Sequence, residues 1–408
     1  MRIRAITYFF SPDPELSPRS IHQAGIFSKR AQAAFEAGGY EVQTTRLATS
    51  PFPHWLPEVN EKALLQAAQA FEAAAAEQGI DYLSFGPALP DYPPTYRLIP
   101  PVLAETSSIF FSGVLTTPHG GISLPAVQAS GEIIQTVAGF DANGFANLRF
   151  AALANVPPGA PFFPAAYHAG GSPVFSLACE AADLAVEAFS QADTLAAARR
   201  SLVASLEQHA GALTEIAIRL QNETHIPFGG LDLTPAPFPD LEHSLGTALE
   251  RLGVPNLGQP GSLAAAAILA ATLDQATFAR CGFNGLMLPV LEDALLARRA
   301  AEGSLSLKDL LLFSSVCGTG LDTVPLPGDA TAQQLAAVLL DVAALAQRLN
   351  KPLTARLMPI QGKKAGDPTN FDFAYFANSR VLALDAAPLT GFLAGEENFD
   401  LQPRQSQV

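Results

Sequence analysis

Cysteine, tryptophan and charge are all scarce in this chain. Its three cysteines, Cys179, Cys281 and Cys317, are spread through 408 residues with no CxxC spacing. That excludes a disulfide framework and suits a reducing compartment. Charged residues make up 15% of the sequence, and 24 basic residues face 38 acidic ones, for a formal net charge of −14. No basic run offsets that balance, so nucleic acid and anionic membrane surfaces are poor partners. Small-molecule ligands and other proteins, including further copies in a homo-oligomer, remain. The N-terminal MRIRAITYFFSPDPE reaches Pro12 and Asp13 after one short apolar run, without the apolar region of a signal peptide. No apolar stretch of about 18 residues occurs elsewhere. A cytoplasmic protein without a membrane span is the expectation.

What the chain does have is apolar mass. Hydrophobic residues account for 49% of it, enough for a large core and too many for a disordered chain. RIRAITYFF has strand character, Ile21 to Gly38 has helical spacing stopped at Gly38 and Gly39, and YEVQTTRLAT alternates as a second strand. Strand, helix, strand is a crossover unit, and it recurs. Further strand-like stretches are DYLSFGP, SSIFFSGV, FANLRFAALANV, SPVFSLAC, FGGLDLTPAP, NGLMLPV, GTGLDTVPL and PLTARLMPI, which brings the total to about ten. The longest helical stretch runs from Asp193, a plausible N-cap, to Gln221. With no linker and no repeat, one α/β unit over 1–408 is expected. Its N-terminal half spans about 1–155, its C-terminal half about 156–385, and a tail 386–408.

The later strands end in loops crowded with Gly, Pro, Asp and His, and ligands in α/β folds sit on the loops that leave strand ends. Four acidic positions follow apolar strand residues: Asp232, the Glu292-Asp293 pair, Asp322 and Asp329. Carboxylates gathered in a pocket can hold Mg²⁺, Mn²⁺ or Ca²⁺, or divide acid and base roles. Helix capping competes at Asp293 and Asp329, because each precedes a helical stretch. Glu292, Asp293 and Asp329 are therefore the candidate divalent-metal ligands, with Asp232 and Asp322 the candidate proton carriers. His168, between Tyr167 and two glycines, is the candidate acid/base histidine. Cys317, flanked by Ser and Gly, is the candidate nucleophile. His119, Tyr167, Arg356 and Lys363 are the candidate substrate-binding residues.

The stretches NVPPGAPFFPAAYH, FGGLDLTPAPFP, NGLMLPVLED and SSVCGTGLDTVPLPGD, with GYEVQTTRLATSPF near the start, resemble domain-of-unknown-function family 711. Its members are often labelled "PFL family protein". The resemblance runs from about residue 1 to 385. It implies a ten-stranded α/β barrel of two antiparallel five-stranded halves, like that of pyruvate formate-lyase. The radical chemistry of that lyase does not follow. Glycyl radical enzymes carry Arg-Val-x-Gly near the C-terminus, whereas here Ser379-Arg380-Val381-Leu382 is followed by Ala383. The captodatively stabilised radical needs glycine's bare α-carbon, and the lyase's cysteine pair is missing as well. The sequence thus points to a pyruvate formate-lyase-like barrel without the glycyl radical segment. The expected function is a non-radical enzyme of hydrolase or lyase type acting on a small polar or anionic metabolite, with a divalent metal as an optional cofactor. The alternative is a non-catalytic metabolite-binding or regulatory protein that uses the same loops.

Overall fold

A computed structural model describes residues 1–13, 15–117 and 120–403. The strands are β1 (Arg2–Phe10), β2 (Thr45–Thr49), β3 (Tyr82–Ala88), β4 (Ile109–Val114), β5 (Gly121–Ser123), β6 (Phe150–Ala154), β7 (Val174–Glu180), β8 (Phe228–Asp232), β9 (Gly320–Pro327), β10 (Leu353–Ile360) and β11 (Asn398–Asp400). Nine of them form one mixed, mostly parallel sheet in the order β8-β7-β1-β2-β3-β4-β6-β10-β9, while β5 and β11 pair separately. The strands β1, β2, β3, β4 and β6 run parallel to one another. β7 and β8 on one flank and β10 and β9 on the other run the opposite way. β2 and β6 are buried at every position, and β1, β3 and β7 nearly so. That is the pattern of strands covered on both faces rather than alternating between core and water.

Eleven helices among the described residues supply the cover: α1 (Arg19–Ala37), α2 (Glu61–Gln78), α3 (Ile99–Glu105), α4 (Leu124–Val137), α5 (Ala182–Gln191), α6 (Leu195–Thr224), α7 (Leu245–Arg251), α8 (Ser262–Leu273), α9 (Ala294–Glu302), α10 (Leu307–Phe313) and α11 (Ala332–Leu349). Their ends follow local chemistry. Asn60 caps α2, which stops at Gly79 in the left-handed region, and Thr331 and Gln334 form a capping box on α11. The long helix α6 begins one residue later than expected, because the Thr194 side chain, not Asp193, accepts the N–H of Ala197. Among the described residues no helix is long and apolar enough to cross a membrane.

One expected strand is absent. NGLMLPV, residues 284–290, is not a strand, and Asn284 sits at a left-handed φ of 47°. The segment instead spans the two edges of the sheet. At its start, Arg280 bridges in parallel to Leu231 of β8; at its end, Pro289 bridges in parallel to Asp322 of β9. Between them the chain passes so close to the turn before β9 that a Cβ on Gly285 would lie 2.4 Å from the Cα of Gly318. Only glycines allow that approach.

Two interruptions in the ladders set up the site. The β1–β7 register shifts between Ile3 and Ala5, leaving Arg4 as the extra residue. In the β10–β9 pair, Ala355 faces Leu321 and Leu357 faces Val324, so the two residues Asp322 and Thr323 stand opposite the single Arg356. Such bulges re-aim side chains. Thr323 carries a φ of 40°, which a β-branched residue adopts only under strain.

Candidate functional site

The ladder interruptions bring Arg4, Asp322 and Arg356 to one cavity of about 110 Å³, together with Glu292 and Arg46. Glu292 is nearly fully buried and ties two strands together. Its Oε1 accepts from Arg356 Nη2 at 2.7 Å, and its Oε2 accepts from Arg4 Nη2. Arg356 Nε donates to Asp322 Oδ1 at 2.5 Å, and the same oxygen accepts the backbone N–H of Thr323 at 2.9 Å. Asp322 Oδ2 has no hydrogen-bond partner among the described residues. Arg4 also pairs with Glu180 at 3.5 Å, and Gln43 Nε2 donates to that carboxylate.

Arg46 differs from the other two arginines. It is more than nine-tenths buried, yet its carboxylate neighbours in the pocket are all engaged by Arg4 and Arg356. Its Nε donates to Thr44 Oγ1 at 2.8 Å, and Thr44 in turn donates to the Arg4 carbonyl at 2.7 Å. The guanidinium carbon lies 5.2 Å from the Phe163 ring centre and 5.6 Å from that of Tyr82. Phe110 packs edge-on against both rings, at 5.3 and 5.1 Å. The rings favour the guanidinium charge, and among the described residues neither terminal nitrogen has a hydrogen-bond partner.

The carboxyls titrate apart. Despite burial, which acts the other way, Arg4, Arg356 and Arg46 hold Glu292 below the usual carboxylate range. Burial raises Asp322, Arg356 opposes that rise, and the neighbouring Glu292 adds to it. Burial, with Arg4 nearby, brings Arg46 down to about 10, so it remains a cation at neutral pH. Neighbouring carboxyls pushed in opposite directions can divide acid and base roles, and buried ion-pair networks show the same pattern.

The other sequence-selected residues lie elsewhere. Asp232, at the end of β8, is fully buried and accepts the N–H groups of Phe283 at 2.7 Å and Asn284 at 3.0 Å, together with the Thr234 hydroxyl at 2.6 Å. It anchors the segment that spans the sheet edges and does not line the cavity. Asp293 caps α9, accepting Leu295 and Leu296 N–H at 3.0 Å, and also takes the Ser244 hydroxyl at 2.6 Å and Gly246 N–H at 3.2 Å. Asp329 is an exposed turn residue, and Thr331 rather than Asp329 caps α11. Glu292, Asp293 and Asp329 therefore form no metal set. Among the described residues, no group of three or more His, Cys, Asp or Glu is placed to hold a metal ion.

His168 is buried against Phe9 near the end of β2, where its N–H meets the Thr49 carbonyl at 2.9 Å. Its ring Nε2 has no partner, and burial lowers its pKa against the backbone hydrogen bonds of Gly171 and Ser172. Tyr167 donates to the Val156 carbonyl at 2.8 Å, closing its own loop, and burial pushes its phenol up to about 12. Cys317 is buried behind β9, and Lys363 sits in the turn after β10. None of the four lines the cavity. His119 lies outside the described residues. Of the selected residues, the cavity unites Asp322, Glu292 and Arg356. Arg4 and Arg46 escaped selection, although each is a charge set among strand-forming residues, in RIRAITYFF and TTRLAT, and burial of such a charge demands a partner.

A family model described as Uncharacterised ACR (DUF711) matches residues 1–378. The chain belongs to this family. A UPF0210 protein of Pyrobaculum aerophilum is 34% identical over 350 residues, covering 81% of this chain and 76% of that one. A UPF0210 protein of Pyrobaculum arsenaticum is 29% identical over 418 residues, covering 94% and 90%. One from the bacterium Oleidesulfovibrio alaskensis is 30% identical, covering 82% and 78%. The family match thus takes in every charged residue of the cavity.

Proposed function

We propose that this cavity is the active site of a non-radical acid–base enzyme, hydrolytic in type, acting on a small anionic metabolite. The observation that carries the reading is Arg46: a buried, ring-clamped guanidinium with both terminal nitrogens free, beside a carboxylate with one free oxygen. A buried cation without a counter-ion is costly, and a ligand anion removes that cost. Arg46 would bind the anion, Asp322 Oδ2 would take a proton, and Glu292 would stay ionised and hold Arg4 and Arg356 in place.

A second, smaller cavity of about 20 Å³ also borders Asp322 and Arg356, with Thr319, Thr354 and seven apolar residues in its lining, and supports hydrolysis over elimination. That is room for one water, with a carboxylate and hydroxyl oxygens around it. An Asp322 base between a ligand-sized and a water-sized space suits attack by water.

We read the architecture as a ten-stranded barrel similar to that of pyruvate formate-lyase. Five parallel strands would form one half. β7, β8, β9 and β10, completed by residues 279–290 between the sheet edges, would form the other. The two parallel bridges of that segment support this reading.

The test is incubation of the full chain with a panel of small esters, amides and phosphate esters that each carry an anionic group, with products read by mass spectrometry in H₂¹⁸O. Turnover with ¹⁸O incorporation that Asp322→Asn abolishes while binding persists is expected. Turnover indifferent to Asp322→Asn, or products lacking solvent oxygen, would overturn the reading.

A further inference from the structure

Resting on that reading of the cavity, we infer that its ligand is a monocarboxylate carried on an apolar, ring-sized body, rather than a phosphate or a short polar dicarboxylate. The charge count selects the head group. Three guanidiniums, Arg4, Arg46 and Arg356, line the cavity with two carboxylates, Glu292 and Asp322, and behind them Glu180 is shared by Arg2 and Arg4, so four guanidiniums meet three carboxylates with an excess of one positive charge. A single carboxylate neutralises it. A phosphate dianion or a dicarboxylate would leave a net negative charge beside Glu292 and Asp322, in a setting where a like charge is poorly screened.

The geometry of Arg46 agrees. Its Nε is committed to Thr44, so only the terminal edge of the guanidinium, with one N–H from each terminal nitrogen pointing forward, is left for the ligand. That fork takes two oxygens of one carboxylate or one phosphate, and the charge count chooses between them. The rings of Tyr82 and Phe163 flank the same guanidinium and block approach from its faces.

The rest of the cavity selects the body. Beyond the charged residues, its wall includes Phe110 of β4, Phe162 and Phe163 of the loop before β7, Met287 of the spanning segment, and Phe373 and Tyr375. These last two belong to residues 366–381, a loop closed at its base by the Pro368–Arg380 bridge and by the Gly366 N–H to the Val381 carbonyl at 2.9 Å. Asn378 ties the loop internally, accepting the Phe371 N–H at 2.7 Å and donating to the Phe371 carbonyl at 3.1 Å. The one polar group of that wall is the Tyr375 hydroxyl, and its rings and thioether reward burial of a ring or a branched aliphatic chain.

Isothermal titration of the full chain with phenylacetate, 4-methylpentanoate, phenyl phosphate, succinate and inorganic phosphate tests the assignment. Phenylacetate and 4-methylpentanoate should bind at least tenfold more tightly than phenyl phosphate, succinate and phosphate. Arg46→Lys, which keeps the charge and loses the fork, should weaken phenylacetate at least tenfold, with an unchanged melting temperature showing that the fold is intact. If succinate or either phosphate binds best, the ligand class is overturned while an anion site survives. If none of the five binds, the ligand class and the underlying anion-site reading fall together.

Discussion

Asp322 and Arg356 face each other across a place where the two strands are out of step, joined by a 2.5 Å hydrogen bond from Nε to Oδ1. Arg356 reaches onward to Glu292, and Glu292 to Arg4. A single chain of alternating charges thus links β9, β10, the turn that leads from the spanning segment into α9, and β1. Burial works against the charge of Arg356, but Asp322 and Glu292 outweigh it and raise its pKa further above that of a free arginine.

Glu292→Gln removes the charge that two buried arginines share. The expected loss is about 3 kcal/mol at neutral pH, the scale seen when one partner of a buried pair is removed. The folded-state pKa of Glu292 lies below its ordinary 4.5, so its contribution is present above about pH 4.5 and fades as pH falls through the lower folded value. Urea unfolding of both proteins from neutral pH down to pH 3 should show the gap closing on the acid side. A gap that is constant with pH would mean that the charge plays no part.

Asp293→Ala should destabilise through lost capping, not lost metal. Four donors from α9 and the start of α7 lose their acceptor, and about 2 to 4 kcal/mol is expected. Thermal melts with and without millimolar Mg²⁺, Mn²⁺ and Ca²⁺ should give the same difference between variant and parent. A divalent ion that stabilises only the parent would restore Asp293 to a ligand role.

Gly282→Ala tests the anchoring of the spanning segment. Gly282 has a φ of 70°, and an added Cβ would sit 2.2 Å from Asp232 Oδ2. Gly362 has a similar φ of 74° with nothing within 4 Å, so Gly362→Ala reports the backbone strain alone. By equilibrium denaturation Gly362→Ala should cost about 1 kcal/mol, and Gly282→Ala at least about 2 kcal/mol more, by displacing Asp232 from buried N–H groups. Equal losses would remove Asp232 from its anchoring role.

The thiols should be inert in the native state. Cys179 and Cys317 are buried, and burial raises the pKa of both Cys179 and Cys281. A disulfide reagent at pH 7 should modify the folded chain at least a hundredfold more slowly than the urea-unfolded chain. Rapid modification of one thiol, mapped to Cys317, would revive its candidacy as a nucleophile.

Nine of the ten strand-like stretches in the sequence are strands, because their β-branched and aromatic residues suit a sheet covered on both faces. NGLMLPV failed for an instructive reason. Its composition is that of a buried strand, but Asn284 at positive φ and the Gly285–Gly318 contact make it a crossing between two edges, and no local signal encodes that. At the site, Asp322 and Glu292 were legible as carboxylates that follow apolar residues, and Arg356 as a cation able to pair with an anionic group. His168, Asp232 and Cys317 drew the same notice but lie outside the cavity, and for Asp232 composition cannot tell a carboxylate that accepts backbone N–H groups from one that faces a cavity. Arg4 and Arg46 were overlooked because their strands lie at the start of the chain, far in sequence from the loops that draw attention.

The out-of-step position in β9 has a consequence for how such a site can arise and be lost. On either side of Thr323 the ladder with β10 is regular, displaced by one residue. Deleting that residue would restore an unbroken ladder and relieve the φ of 40°, leaving the flanking pairings intact. A three-nucleotide deletion would therefore keep Asp322 opposite Arg356 while undoing the bulge that re-aims the two side chains, and the reverse insertion could install that bulge in a plain strand.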